Sequence, residues 1–226
     1  MEAIAHIEND YTEKFGIPRQ SGLNGALLSR IVMEPAYRVP EAFRGIEAYS
    51  HLWLIWEFSE VPAGAPFSPT VRPPRLGGNT RVGVFATRSP FRPNRLGLSC
   101  VELIRLEQGA EGPVLIVTGA DLMNGTPIYD IKPYLPYADA YPNARINEAL
   151  SGKQLQVVIP DELRQVLPEE KIGPLTGLLA LDPRPAYQDD PERVYGVRFG
   201  AYDIRFRIEG ETLTVCGVSR ESKNSR

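Results

Sequence analysis

Three stretches of the 226-residue chain concentrate side chains able to recognise or activate a substrate. The first, Gly16-Ile17-Pro18-Arg19-Gln20-Ser21-Gly22, is a turn-rich loop presenting a guanidinium and an amide. The second, Ala86-Thr87-Arg88-Ser89-Pro90-Phe91-Arg92-Pro93-Asn94-Arg95-Leu96-Gly97, reads as a strand end running into a proline-stiffened polar loop. The third runs from Asp121 to Tyr134 and holds the turn signal Asn124-Gly125. If the chain beyond that turn is extended, Asp130 and Lys132 share one face while Tyr129 and Ile131 share the other. A carboxylate and an ammonium at that spacing either tune each other for proton and charge transfer or form a surface ion pair of ~0–1 kcal/mol. Spacing alone favours the ion pair. The residues by themselves describe an anion-recognising β-domain and leave catalysis open.

Charge is distributed unevenly. The net charge is −3 and the isoelectric point 5.6, which taken as totals argue against nucleic acid. Yet the 41 residues from Val61 to Val101 hold no Asp or Glu in a chain with 28 acids. They carry Arg72, Arg75, Arg81, Arg88, Arg92 and Arg95, and no lysine. Arginine's planar fork grips phosphate and carboxylate oxygens bidentately and stacks on bases. The alternative is that these arginines satisfy loop carbonyls and pair with acids from elsewhere in the fold, which for any single one of them is the more common outcome.

Several chemistries are disfavoured by what is missing. With His6, His51, Cys100 and Cys216 as the only histidines and cysteines, no zinc-site spacing exists. There is no dinucleotide or P-loop glycine fingerprint, since Gly77-Gly78 and Gly83 lack the lysine and the following helix, and no Gly-x-Ser-x-Gly elbow. His51 reads as a structural histidine, Trp53 and Trp56 as core or interface, and the two cysteines as buried thiols. Met1-Glu2-Ala3 lacks the features of a signal peptide, no apolar run is long enough to span a bilayer, and the expected compartment is the cytoplasm.

The elements that must position these groups are mostly strands. Ile4–Ile7, Gly25–Met33, Ser50–Phe58, Val82–Ala86, Ser99–Leu106 and Val114–Ala120 are short apolar or alternating runs bounded by Gly, Pro and Asn. Glu41–Tyr49 is the best short helix candidate among them. Strands without helical crossovers pair antiparallel, and a closed barrel removes their edges. The fold expected is mainly β: an antiparallel barrel followed by a small α+β domain. Asp161–Leu167 and Leu175–Leu181 read as helical, and Val194–Phe199, Tyr202–Ile208 and Thr212–Val218 as three antiparallel strands. The boundary falls near 145–153, giving a barrel over 1–147 and a second domain over 148–226, with a frayed tail at 221–226. Pro62–Arg81 is a long Pro- and Gly-rich loop of the kind that carries function.

The three stretches, together with Gly45–Trp53 and Val71-Arg72-Pro73-Pro74-Arg75-Leu76-Gly77-Gly78-Asn79, resemble the TsaA/YaeB family of S-adenosylmethionine-dependent tRNA (adenine-N6)-methyltransferases. The likeness covers nearly all of the first ~145 residues, and Asp182-Pro183-Arg184-Pro185-Ala186-Tyr187 extends it. It implies a β-barrel catalytic domain, a homodimer, and methylation of N6 of N6-threonylcarbamoyladenosine beside the anticodon of tRNAs reading ACY codons. It implies S-adenosylmethionine contacts at Pro18, Arg19, Gln20, Ser59, Glu60, Arg88, Leu98, Asn124, Gly125, Thr126 and Pro127. The chain departs from the family pattern at 59–60, where relatives carry His-Gln, at 124, where they carry Asp, and at Arg95, where they carry Pro.

Given that substrate, the reacting nitrogen belongs to a carbamoyl group and must lose its proton, which calls for a base or for a cation on the carbamoyl oxygen. Asp130 and Lys132 are the candidates for these roles, with Tyr134 as a hydrogen-bonding alternative. Arg92, supported by Asn94, is the candidate partner of the threonyl carboxylate. Arg72, Arg75, Arg205 and Arg207 would track tRNA phosphates. Two other readings stand beside this one: a non-catalytic RNA-binding barrel, and a methyltransferase of the same fold acting on another adenosine derivative.

Overall fold

In the computed structural model, residues 1–62, 64, 66–73, 79–110, 112–145, 154–184 and 190–220 are described. Six strands close a barrel: β1 (Ala5–Glu8), β2 (Leu28–Met33), β3 (His51–Glu57), β6 (Leu96–Gly109), β7 (Gly112–Thr118) and β8 (Pro127–Pro133). They run in the order β1-β2-β7-β6-β3-β8, every pair antiparallel, with β8 returning to β1. Alternation in β3 explains the closure. Leu52, Leu54 and Trp56 point inward and are buried, while His51, Trp53, Ile55 and Glu57 face outward. The inward set meets Ala5, Ile7, Ile31, Val101, Leu115, Val117 and Ile128 in one apolar core. Each fully buried Leu or Ile there contributes about 1.5–3 kcal/mol relative to exposure.

After the single-turn helix α1 (Pro136–Asp139) that follows the barrel, a second sheet, β10 (Tyr195–Phe199), β11 (Tyr202–Glu209), β12 (Thr212–Arg220) and β9 (Gln156–Val158), packs with α2 (Asp161–Arg164) and α3 (Glu169–Ala180) on a separate core. Tyr11 and Leu27, from the connection between β1 and β2, are buried in this second core. Asn24, also buried, donates to the Tyr11 hydroxyl and to the Pro174 carbonyl, both at 3.0 Å, which ties that connection to α3. Gly177 makes the room: a Cβ there would lie 2.5 Å from Asn24 Oδ1.

The expected barrel and the three antiparallel C-terminal strands are present, with four differences. Val82–Ala86 is not a strand throughout. Only β5 (Val82–Gly83) pairs, with β4 (Thr70–Val71), and Val84–Ala86 then forms a 3-10 turn that leaves Phe85 exposed. Glu41–Tyr49 is two 3-10 turns, Pro40–Phe43 and Ile46–Ala48, because Gly45 between them is left-handed at φ 88°. The second helix starts earlier than expected, at Glu169, and accommodates Pro174. β9 was not expected, being three residues long and parallel to β12. The expected boundary at 145–153 and the tail at 221–226 lie almost wholly outside the described residues. Among the described residues no helix is long and apolar enough to cross a membrane, and no cluster of His, Cys, Asp and Glu could hold a metal ion.

Candidate active site

Antiparallel pairing sends the β1–β2, β3–β6 and β7–β8 connections to one end of the barrel. Those connections contain residues 18–22, 86–95 and 119–126. The three chemically rich stretches, far apart in sequence, therefore share one mouth.

The opening there is an unpaired strand edge. β6 pairs with β3 from Leu96 onward, but β7 ends at Thr118 opposite Glu102. On its β7 side, the Leu96–Val101 segment thus has no sheet partner among the described residues. The Cys100 amide on that edge donates to Ser21 Oγ at 3.1 Å, and the Gly22 amide donates to the Gly119 carbonyl at 2.8 Å, so the 18–22 loop lies along the gap. Main-chain groups point to the same side every second residue, which places the amide and carbonyl of Leu98 on this edge too. Gly97 is required beside them, since a Cβ there would lie 2.3 Å from Trp56 Cε2. Pro18 is buried, Gln20 Nε2 donates to the Arg19 carbonyl, and Arg88 Nη1 donates to Gln20 Oε1. Arg19 Nη2 reaches the carbonyls of Asp182 and Arg184 at 3.5 and 3.4 Å.

Asp121 is the site residue that sequence reasoning missed. Ser99 Oγ donates to its Oδ1 at 2.5 Å and in turn accepts from Trp56 Nε1 at 2.9 Å. Burial pushes the Asp121 carboxyl up to about 6, although hydrogen bonds from Ser99 and main-chain amides and the nearby Arg88 all favour its charged form. The only sequence signal was its place at the head of the third stretch. The side chain is half-buried, with the Ser21 main chain of the 18–22 loop hydrogen-bonded to it.

The strand register sets the second half of the site. Ile55 of β3 pairs with Asp130 on one side and Leu98 on the other, and Trp53 pairs likewise with Lys132 and Cys100. Asp130 and Leu98 therefore share the outer barrel face, two strand spacings or about 10 Å apart. Asp130 and Lys132 form an ion pair at 3.0 Å with 44% and 61% of their side chains exposed. An exposed pair of this kind contributes ~0–1 kcal/mol to stability, so both groups remain available to a ligand. Tyr129 departs from the expected alternation. It is the extra residue at a bulge opposite Ile55 and Trp56, and it joins the outward side, where its hydroxyl donates to Glu57. That carboxylate pushes the phenol up. Tyr134 lies four residues beyond Asp130, ~13 Å along the strand direction, packed on Trp53 and His51 at ring distances of 5.7 and 6.1 Å. It is not brought to the mouth.

The remaining candidates are distributed as follows. Asn124 Oδ1 accepts the Asn9 amide at 2.9 Å, an oxygen that the family's Asp would also provide, and Gly125 is left-handed at φ 80° in the turn leading through buried Thr126 to Pro127. Ser59 and Glu60 follow β3 at the same mouth, exposed, with Lys14 Nζ on the Glu60 carbonyl at 2.9 Å. Arg92 Nη1 is braced by the carbonyls of Thr87 at 2.8 Å and Val84 at 3.3 Å. Arg95 serves the fold: it bonds Glu57 at 2.5 Å and the Val61 carbonyl at 2.6 Å, at φ 50°, which proline could not adopt. Arg72 and Asn94 are exposed, and Arg205 and Arg207 stand on the exposed face of β11. Arg75 lies outside the described residues. Of the two thiols, Cys100 is half-buried and pushed up by burial and by Asp139, whereas Cys216 is exposed rather than buried.

Residues 6–140 match the family model of the tRNA-methyltransferase O N-terminal domain, and residues 152–221 that of the TrmO C-terminal domain. The chain is 41% identical over 217 residues to the tRNA (adenine(37)-N6)-methyltransferase of Escherichia coli, covering 92% of each chain. It is 50% identical over 165 residues to that of Eikenella corrodens, covering 72% of this chain and 92% of the relative. A crystal structure of TrmO from Pseudomonas aeruginosa superposes with a TM-score of 0.76 at 32% identity, covering 96% of this chain and 97% of the other.

Proposed function

Because the chain belongs to the TrmO family of tRNA methyltransferases, we propose that it is an S-adenosylmethionine-dependent tRNA adenine(37)-N6-methyltransferase acting on N6-threonylcarbamoyladenosine in tRNAs that read ACY codons. The observation that carries the reading is the pairing of Ile55 with both Asp130 and Leu98. It sets an exposed acid–base pair on the same barrel face as an unpaired main-chain edge.

The residues at the mouth fit the methyl donor. The amide and carbonyl of Leu98 offer the donor–acceptor pair that an adenine edge requires. Arg88, oriented by Gln20, suits the carboxylate of an amino-acid moiety. Pro18 and Arg19 and the Asn124–Pro127 turn complete the cradle, with Ser59 and Glu60 contributing main chain. S-adenosylmethionine supplies a methyl group on a sulfonium for in-line displacement, so the protein's task is alignment and charge handling. Asp130 takes the proton that N6 must lose as the new N–CH3 bond forms. Lys132 stabilises the negative charge that develops on the carbamoyl oxygen. Tyr134, remote from the mouth, orients the outer face through Trp53 rather than acting on substrate.

Arg92, braced by Val84 and Thr87 and flanked by Asn94, pairs with the threonyl carboxylate. A site built around that ion pair is left with an unpaired cation when the threonylcarbamoyl arm is missing. Arg72 and Arg75, with Arg205 and Arg207 on the second sheet, hold tRNA phosphates. In this reading residues 1–147 carry catalysis and residues 148–226 assist tRNA binding, in a cytoplasmic homodimer. The test is mass analysis of nucleosides digested from the tRNA of a strain lacking the gene. The methylated form of N6-threonylcarbamoyladenosine should vanish, and purified protein with S-adenosylmethionine should restore it. An unchanged nucleoside profile, or equal turnover of modified and unmodified tRNA, would overturn the substrate assignment.

A further inference from the structure

Three phenylalanines within the acid-free span are exposed: Phe67 by 56%, Phe85 by 72% and Phe91 by 57%. Two of them form a unit. The rings of Phe67 and Phe85 stack with centroids 6.3 Å apart and 28° between planes, and the Arg92 guanidinium lies 5.8 Å over the Phe85 ring. This surface is rigidly built. Val84 beneath it is buried, and its amide donates to the Pro69 carbonyl at 2.9 Å. The Val84 carbonyl accepts from Thr87 Oγ1 at 2.8 Å, the Thr87 amide at 3.2 Å and Arg92 Nη1 at 3.3 Å. The 3-10 turn at Val84–Ala86 is thereby fixed with Phe85 facing out.

Exposed aromatic faces are costly in water unless something covers them. Charge selects the occupant. The span that carries Phe67, Phe85 and Phe91 holds arginines and no acids, so a second copy presenting the same surface would set arginine against arginine. An unpaired nucleotide satisfies both features at once, with its base on the rings and its phosphates near Arg72 and Arg81. The proposed reaction also creates the need. Bringing N6 of an anticodon-loop adenosine to Asp130 and Lys132 pulls that base from its stack and leaves its neighbours without partners.

Resting on the tRNA reading above, we infer that Phe85 and Phe67, with Arg92 at their side, form a stacking platform for an unpaired base adjacent to the target adenosine. The experiment measures binding of a synthetic anticodon stem–loop RNA to the full-length protein over a range of salt. Phe85→Leu keeps apolar bulk and removes the π face, and it should weaken binding by roughly 5- to 150-fold without changing the salt slope. Phe85→Trp should retain or exceed the original affinity. Arg72→Ala serves as contrast and should lower the salt slope by about one contact. If Phe85→Leu binds within about twofold of the parent, the platform is refuted. A change in sedimentation of Phe85→Leu with unchanged RNA binding would also refute it, by showing that the rings contact a second copy. If the parent binds no stem–loop at all, the tRNA reading falls, and the platform with it.

Discussion

Asp121→Asn isolates the cost of holding a carboxylate at the barrel mouth. The native side chain accepts from Ser99 at 2.5 Å, and an Asn Oδ1 can accept the same bond, so the substitution removes charge with little change of shape. Burial lifts the Asp121 carboxyl from its ordinary 3.8 to about 6, a difference that corresponds to about 3 kcal/mol between its two protonation states. A folded-state value above the unfolded one means that the fold binds the proton more tightly than the unfolded chain. This stabilisation is complete below about pH 4 and is lost as pH rises through about 6. At pH 7.5 the fold therefore carries an ionised Asp121 at a cost that the Asn variant does not bear. Urea unfolding from pH 4 to 8 reads the effect. Relative to the parent, Asp121→Asn should gain up to about 3 kcal/mol in unfolding free energy between pH 4 and 7.5, most steeply near pH 5. Methyl transfer should fall by roughly tenfold or more, the loss of one charge-assisted contact in the site. A more stable, less active enzyme would identify the desolvated charge as one retained for function. Parallel pH profiles for the two proteins, or an Asn variant less stable at pH 7.5, would show that the fold bears no cost for an ionised Asp121.

Lys132→Ala should lower single-turnover methylation roughly 10²-fold while calorimetric binding of S-adenosylmethionine and thermal stability barely change, because its ion pair with Asp130 is exposed. Loss of cofactor affinity with chemistry intact at saturation would reassign the lysine to the donor's carboxylate. Gly97→Ala drives a Cβ to within 2.3 Å of Trp56 and should destabilise the fold by about 1–3 kcal/mol in denaturant, with cofactor affinity falling as the Leu98 edge shifts. tRNA affinity should fall steeply with added salt despite the chain's net charge of −3, and a flat dependence would show that the acid-free arginine span is not the tRNA surface.

Local patterning carried much of this protein. The period-two alternation of His51–Glu57 and Tyr202–Ile208 was readable because each strand buries one face, and the arginines between Val61 and Val101 stood out because no acid interrupts them. The family motifs pointed to tRNA methylation, and Asp130 and Lys132 could be paired from their spacing alone. What tertiary structure decided was non-local. Val82–Ala86 has the composition of a strand, yet only two residues find a partner, since pairing depends on where Thr70–Val71 happens to run. The bulge at Tyr129 resets side-chain direction within β8 and is dictated by the register with β3. β7 stops opposite Glu102, and this length mismatch between neighbouring strands opens the edge at Leu98. Arg95 looked like part of the cationic surface until the fold delivered Glu57 to it, while Arg92 was left beside an exposed Phe85. Asp121 had no distinguishing sequence pattern, because its altered proton affinity comes from desolvation among Ser99, Arg88 and Ser21, groups brought to it from distant parts of the chain. Periodicity is a property of a few consecutive residues and can be read along the chain. Register, strand-length mismatch and burial of charge arise only when distant segments meet.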